Sequence, residues 1–459
     1  MEIKLKSRTI ILSFAFYFFM IRKSLSQTTS VETDVIVESD ATFGIFTLYD
    51  SAPIYMDNDT LKYKSNEILE DVVNTTSITC SESLEICVIG RVSRPYTISM
   101  ADFSISTKFK MLIEESPPEF EIGTEIAIIP ETTYILASGI SNDLLQRWNI
   151  ETPEKFIQIS YSAVPESLQT KSLIYIPLTP YGMVSFSQWK GIVVADVVKG
   201  EETNYLSDIK GGMLGYLDQE PDKARVVNAH ENLIDLINYD SAEVEKDFRV
   251  RYLIGAMKPI MGSNLVIVGD YHMIEVIDIT DPAVTSPEDV LFSYDFEVTI
   301  WEIQFDQKNN LVYVGGEKIM KTLKISTTDP NHCHPACDSC NHAFSAYACD
   351  SCTTDYSADS DSKCAMSNIS DPPGGKMNIA EVTFEGEFQE LAEPEESDDL
   401  VIFGQNLGDR KNAYMYGGIG GGVIVLLLLL ICCICFGKSR GSKNNKVDAK
   451  DEKDDNDKE

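Results

Sequence analysis

Histidine is scarce in this 459-residue chain, with 5 in all, and positive charge is outnumbered. The 38 Lys and Arg stand against 72 Asp and Glu, for a formal net charge of −34. A surface of that sign repels phosphate backbones and anionic headgroups, which counts against nucleic acid as a ligand. The common catalytic motifs are missing as well: there is no G-x-S-x-G elbow, no H-E-x-x-H pair and no phosphate-binding P-loop. Of the histidines, His230 and His272 fall in the long central region, and neither sits in a metal or nucleophile motif. The stretch "DSDSK" at 359–363 is too short for a calcium loop. No catalytic residue, metal or cofactor is therefore assigned, and sequence alone does not pair the many carboxylates. Between residues 30 and 330 there is also no long apolar helix pattern. Short β-branched and aromatic runs broken by Gly, Asp, Asn and Pro stand there instead, the signal of an all-β domain.

Long apolar runs are confined to the two ends. Near the start, Lys4, Lys6 and Arg8 precede "IILSFAFYFFMI" at 10–21, and Ser24-Leu25-Ser26 follows as a small-residue cleavage site. Residues 1–26 thus read as a secretory signal. Near the end, "GGIGGGVIVLLLLLICCICF" at 417–436 is long enough as a helix to span a hydrocarbon layer of about 30 Å. Lys438, Arg440, Lys443 and Lys446 follow it, which predicts a cytosolic C-terminus. These features predict a type I single-pass protein of the plasma membrane with an extracellular ectodomain. Cys432, Cys433 and Cys435 read either as membrane-proximal lipidation sites or as apolar filler. Gly417 with Gly421 and Gly418 with Gly422 form overlapping G-x-x-x-G pairs, suited to a homodimer or to a flexible helix start.

The central region repeats. "LVIVGDYHMIEVIDITDP" at 265–282 shows a strand, a turn, a second strand and an Asx-containing turn. The same layout is found at 44–59, 87–104, 134–153, 183–198, 225–240 and 311–326. One register places Asp57, Asp102, Asn149, Asp196, Asn238, Asp278 and Lys324 at the end of the second strand, at spacings of 40–47 residues. An Asx side chain there can accept hydrogen bonds from the following turn and end the strand. An all-β chain with that period predicts a propeller, here with seven blades over 30–330. Two stacked sandwiches would supply the strands but not the period. "VETDVIVES" at 31–39 is the candidate strand to close the ring. Through "LVIVG" and "DITDP", the unit at 265–282 resembles the LVIVD-type, WD40-like propeller repeat.

Of the 11 cysteines, eight lie before the second apolar run. Behind a secretory signal, an even number is expected to form disulfides rather than a zinc site. Cys80 and Cys87 are expected to pair with each other. The remaining six, Cys333, Cys337, Cys340, Cys349, Cys352 and Cys364, follow the spacing C-x3-C-x2-C-x8-C-x2-C-x11-C. Together with His334-Pro335-Ala336 and Tyr356 they resemble a furin-like repeat of growth-factor-receptor cysteine-rich regions over about 32 residues. That resemblance implies the pairs Cys333–Cys340, Cys337–Cys349 and Cys352–Cys364 in a module at 331–365. Asp355 replaces the glycine usual in that family, which puts the final turn in doubt.

Residues 366–413 are acidic and rich in Pro and Gly and read as an extended tether, with 437–459 as a disordered cytoplasmic tail. Sequons at Asn58, Asn74 and Asn368 are candidate glycosylation sites. These features predict a recognition or adhesion protein whose propeller head binds an extracellular protein or glycan. The alternatives are a membrane-anchored enzyme acting on glycans through the propeller channel and a secretory-pathway sorting receptor. A tail without Tyr, Leu or a terminal dilysine counts against the last of these. For the contact itself, Tyr96 and Tyr271 are predicted to sit in equivalent turns on one partner-binding face.

Overall fold

The computed structural model describes residues 29–64, 66–70, 72, 74–91, 95–108, 125–138, 144–160, 170–186, 190–217, 221–280, 290–367, 377–390, 399–402 and 405–409. They fold as a seven-bladed β-propeller with a disulfide-rich module behind it. Six blades are antiparallel sheets of four consecutive strands, beginning at Phe46, Thr75, Glu125, Thr170, Met213 and Ala256. The seventh combines Ile300–Asp306 and Leu311–Thr327 with the N-terminal strand Thr29–Thr42. Leu311–Thr327 pairs with Ile300–Asp306 through its first half and with the N-terminal strand through its second. The change of partner falls at Glu317-Lys318, where Lys318 takes a φ of 65°. The segment 31–39 therefore closes the ring, which removes an exposed sheet edge.

The inner strands of the seven blades are Phe46–Tyr49, Thr75–Ser81, Glu125–Ile128, Thr170–Tyr175, Met213–Tyr216, Ala256–Ile260 and Ile300–Asp306. Each touches the next in that order, and the last touches the first. Seven apolar clusters fill the seven gaps between neighbouring blades, one per gap. Burial follows position within a blade. Leu265–Gly269 is buried at every residue because sheets cover both of its faces, which is why its sequence is an unbroken apolar run. The outer strand Glu243–Arg249 meets solvent and is mostly charged.

The repeated Asx residues sit largely as expected, with two register differences. Asp278 Oδ1 accepts from Thr280 N at 2.8 Å, Asn149 Oδ1 from Glu151 N at 2.9 Å, and Asn238 Oδ1 from Asp240 N at 3.0 Å. Asp196 Oδ1 accepts from Val198 N at 3.0 Å. These four end the third strand of their blades. Asp102 caps its turn through Ser104 but lies three residues beyond the strand end at Ser99. Asp57 ends the second strand of its blade and instead binds Lys62 Nζ at 2.6 Å. The copy at 44–59 is thus one strand out of register, because its "DNDT" turn imitates the capped turn one hairpin early.

One expectation is overturned. Among the described residues there is no α-helix, and no helix is long and apolar enough to cross a membrane. The apolar segments described are short strands consumed by the sheets. The predicted transmembrane helix is corrected accordingly. With it go the type I membrane assignment, anchoring through one helix and the plasma-membrane location. The run at 417–436 lies outside the described residues, as do Gly417, Gly418, Gly421, Gly422, Cys432, Cys433, Cys435, Asn368, the tail and the signal segment.

Disulfides join Cys80–Cys87, Cys333–Cys340, Cys337–Cys349 and Cys352–Cys364. Cys80 and Cys87 face each other on neighbouring strands of the second blade. The module built on the other three packs on the propeller through Phe344, which is buried with Phe292 and Ile325. Residues 377–390 do not behave as a free acidic tether. They dock on blades 3 and 4, and Gln389–Glu390 adds a fifth strand beside Lys155–Phe156. Beyond Leu391, Asp399–Ile402 and Gln405–Asp409 form a separate two-stranded hairpin.

Candidate functional site: the upper face of the propeller

Backbone hydrogen bonds separate the two faces of the disc. On the upper face, the turn between second and third strands meets the connector to the next blade, as in Phe296 N to His272 O at 2.5 Å and Ile300 N to Asp270 O at 3.3 Å. On the lower face the remaining turns meet, as in Val197 N to Pro180 O at 2.8 Å and Ile279 N to Asn264 O at 2.8 Å. The disulfide module lies under the lower face. Its buried His334 accepts from Ala336 N through Nδ1 at 3.1 Å and donates from Nε2 to Met261 O at 3.2 Å. Burial lowers the pKa of that imidazole to about 4. Ser345 Oγ donates to Gln307 O at 2.6 Å. The 377–390 segment also covers the lower face, with Met377 N on Leu178 O and Glu385 N on Val198 O. Between them, the module and this strap cover blades 6–7 and 3–4 from below.

The upper face has no such cover among the described residues, and exposed aromatic rings gather on it. Tyr271 is 61% exposed and Trp301 49% exposed, with Tyr252 and Leu253 on the neighbouring connector. Because Ile300 N bonds Asp270 O, Trp301 and Tyr271 follow directly from residues in backbone contact. Tyr96 does not join them. It begins the third strand of blade 2, is 6% exposed, and packs in the core between blades 1 and 2. Its assignment to the partner-binding face is corrected: the sequence places it beside a turn, but its ring points between blades. Asn58 and Asn74 are exposed on the same upper face, in turns linked by Val72 N to Asp59 O.

Two bulges shape the channel mouth. In blade 7, Ile300 pairs with Gly316 and Glu302 with Gly315, so Trp301 is the extra residue. In blade 4, Thr170 pairs with Phe186 and Ser172 with Ser185, which leaves Lys171 extra and exposed. A bulge re-aims the unpaired side chain away from the ladder. The charged residues of the seven inner strands are Glu125, Lys171, Lys258, Glu302 and Asp306. Asp306 lies at the lower end, where it caps Asn309 N at 3.1 Å. The other four lie at the upper end or the middle of their strands.

These four interact. Burial first, then the nearby Glu302 carboxylate, raises the Glu125 pKa to about 8, against the opposing pull of Lys171. Burial raises the Glu302 pKa to about 7, while Lys258, Gln304, the Ile303 amide and Lys171 pull it down. The Lys258 pKa is lowered by burial and supported by Glu302. Solvent reaches part of Glu125, Lys258 and Glu302, yet protein surrounds them, so desolvation dominates over accessibility. Burial thus works against the charged form of Glu125, Glu302 and Lys258 alike.

The histidines of the propeller lie elsewhere. His230 Nε2 meets Asp235 Oδ2 at 3.0 Å, and His272 Nδ1 meets Asp295 Oδ1 at 3.3 Å. Among the described residues no group of three or more His, Cys, Asp or Glu is arranged to hold a metal. A cavity of about 340 Å³ lies on the lower face between the strap and the turns of blades 3 and 4. Its lining is largely apolar, with Tyr175, Pro177, Leu178 and Ile379. Compared with known proteins, the chain matches no family model and no curated protein. The sequence marks Tyr271 as an exposed turn residue, and it is one, but gives no sign of Trp301 or of the charged inner-strand residues. No sequence spacing links charges that influence one another from four different blades.

Proposed function

We propose that this protein is a recognition module that binds its partner on the upper face of the propeller, at and around the channel mouth. The observation that supports this reading is the gathering of exposed Trp301, Tyr271 and Tyr252 on the face opposite the disulfide module. Propeller strands are committed to packing, so binding falls to the turns and the channel rim. Aromatic side chains on such a rim supply large contact area and dominate binding hot spots. The four disulfides suit a protein that works in an oxidising compartment, and the furin-like reading of 333–364 makes the module a rigid spacer beneath the head.

The test is a binding screen of the disulfide-intact chain against immobilised oligosaccharides and peptides, repeated with a Tyr271→Ser, Trp301→Ala double variant. Removing two hot-spot aromatics should weaken binding of any captured ligand at least about tenfold. A correctly folded double variant that binds as well as the parent would contradict the reading.

A further inference from the structure

Of the 5 histidines in the chain, His332, His334 and His342 all sit on the seam between the cysteine module and the propeller. His334 is 1% exposed. Its Nε2 donates to Met261 O of blade 6, a carbonyl that also accepts from Gln307 Nε2 of blade 7 at 3.0 Å. Its Nδ1 accepts from Ala336 N, so the docked ring is neutral and carries its one proton on Nε2. His342 Nδ1 meets Ser326 Oγ at 3.2 Å, beside an antiparallel bridge between these two residues. His332 Nδ1 meets Thr29 Oγ1 at 2.7 Å.

These contacts fall where the ring closes. Thr29 pairs with Thr327 at the end of the closing ladder, and their hydroxyls lie 2.9 Å apart. The module holds both partners, because His332 meets Thr29 and Thr327 N donates to Asn341 O at 3.2 Å. Ala343 N donates to Ile325 O at 2.8 Å, and Phe344 meets Phe292 with ring centroids 6.1 Å apart. The module is therefore a latch on the closing strand pair.

We propose that this latch is operated by acid: the module stays docked at neutral pH and leaves the propeller when His334 and His342 take up protons. The device is independent of what binds the upper face. A proton on His334 Nδ1 turns an acceptor into a donor that faces the Ala336 N–H, and it places a charge in a site closed to solvent. Burial resists that charge most; the Met261 carbonyl favours it, and Lys363 opposes it. Undocking returns water to the ring and lifts its value from about 4 towards the ordinary 6.5. Below both values, release gains roughly two to three powers of ten over its standing at neutral pH. The docked state thus weakens as pH falls below 6.5, and the loss is complete below about 4. His342 acts in the same sense, since burial and then Lys324 lower its value while the Ile325 backbone and Glu32 oppose them. Among the other charges of the seam, Asp329 Oδ1 accepts from Asn331 N, and Tyr347 faces Asp359, Asp361 and Asp306.

The experiment is hydrogen exchange of the full, disulfide-intact chain across this pH range, with rates corrected for the intrinsic effect of pH. Amides of 327–345 should exchange at least about tenfold faster at about pH 4.5 than at about pH 7.5, with 183–186 and 226–229 unchanged and protection regained on neutralisation. His334→Gln keeps a donor for Met261 O but takes no proton, so its ratio between the two pH values should fall to about threefold or less, whatever its absolute protection. His342→Gln should lower the ratio in part, and it decides with the parent profile if His334→Gln does not fold. Seam protection that is the same at both pH values would overturn the proposal. So would seam exchange that rises in step with every blade, which is global acid unfolding. An unchanged ratio in the variants that fold would also overturn it, by assigning the trigger to carboxylates such as Glu32 and Asp329.

Discussion

Glu125 and Glu302 hold their protons far more tightly in the folded chain than free carboxyls do, with values of about 8 and about 7 against 4.5. The sign of the consequence follows from linkage. The folded state binds the extra protons, so this contribution to stability is complete below about pH 4.5 and is lost as pH rises through the folded values. His334 acts in the opposite sense. Its lowered value, about 4, gives a contribution present above the ordinary histidine value and lost as pH falls towards it. Glutamine in place of Glu125 mimics the protonated form at every pH. The melting temperature of Glu125→Gln should therefore fall less than that of the parent between about pH 5 and pH 8. Parallel curves for parent and variant across that range would show that Glu125 titrates normally.

Among the elements, the strap at 377–390 is held by backbone bonds and apolar packing and, at its middle, by one side chain. Arg147 is fully buried in the third strand of blade 3. Its Nη1 donates to Val197 O and, at 2.8 Å, to Val198 O. Its Nη2 donates to Glu385 O at 2.5 Å, so one guanidinium ties blade 4 and the strap to blade 3. Phe384 stacks against Tyr134 with ring centroids 4.1 Å apart, and the guanidinium lies 4.8 Å from the Phe384 ring. Gly386, at φ 114°, lets the backbone pass where a Cβ would meet Ile157 Cδ1 at 2.6 Å. Arg147→Met removes three charge-assisted bonds and leaves Val198 O with its bond from Glu385 N alone, which should cost about 3 kcal/mol and loosen the strap. Urea unfolding and limited proteolysis within 377–390 measure the two effects. Unchanged midpoint and unchanged cleavage would refute the clamp. The strap was hard to read in the sequence because its acidic composition resembles a tether. Its apolar residues Ile379, Val382 and Phe384 are few, and they acquire partners only once blades 3 and 4 stand side by side.

For the molecule as a whole, the ring was legible because most blades repeat the same local demands: a strand buried on both faces, then an Asx turn. Disulfide chemistry was legible for a similar reason, since cysteine density and spacing are local features. The mouth of the channel was not. Trp301 and Lys171 sit at bulges that depend on strand pairing, and Glu302 influences Glu125 only because distant blades close into a circle. The same closure gives the disc two faces, one of them covered by the module and the strap, and the proposed function places binding on the other, which has no such cover among the described residues. Hydrogen-exchange mass spectrometry of the full chain, with and without a saturating ligand captured in the oligosaccharide and peptide screen, tests this most directly. The expected result is slowed exchange at 251–254, 270–273 and 300–303, with 333–366 and 377–390 unchanged. Slowing confined to the disulfide module, the strap or the lower turns, or no slowing anywhere, would contradict it.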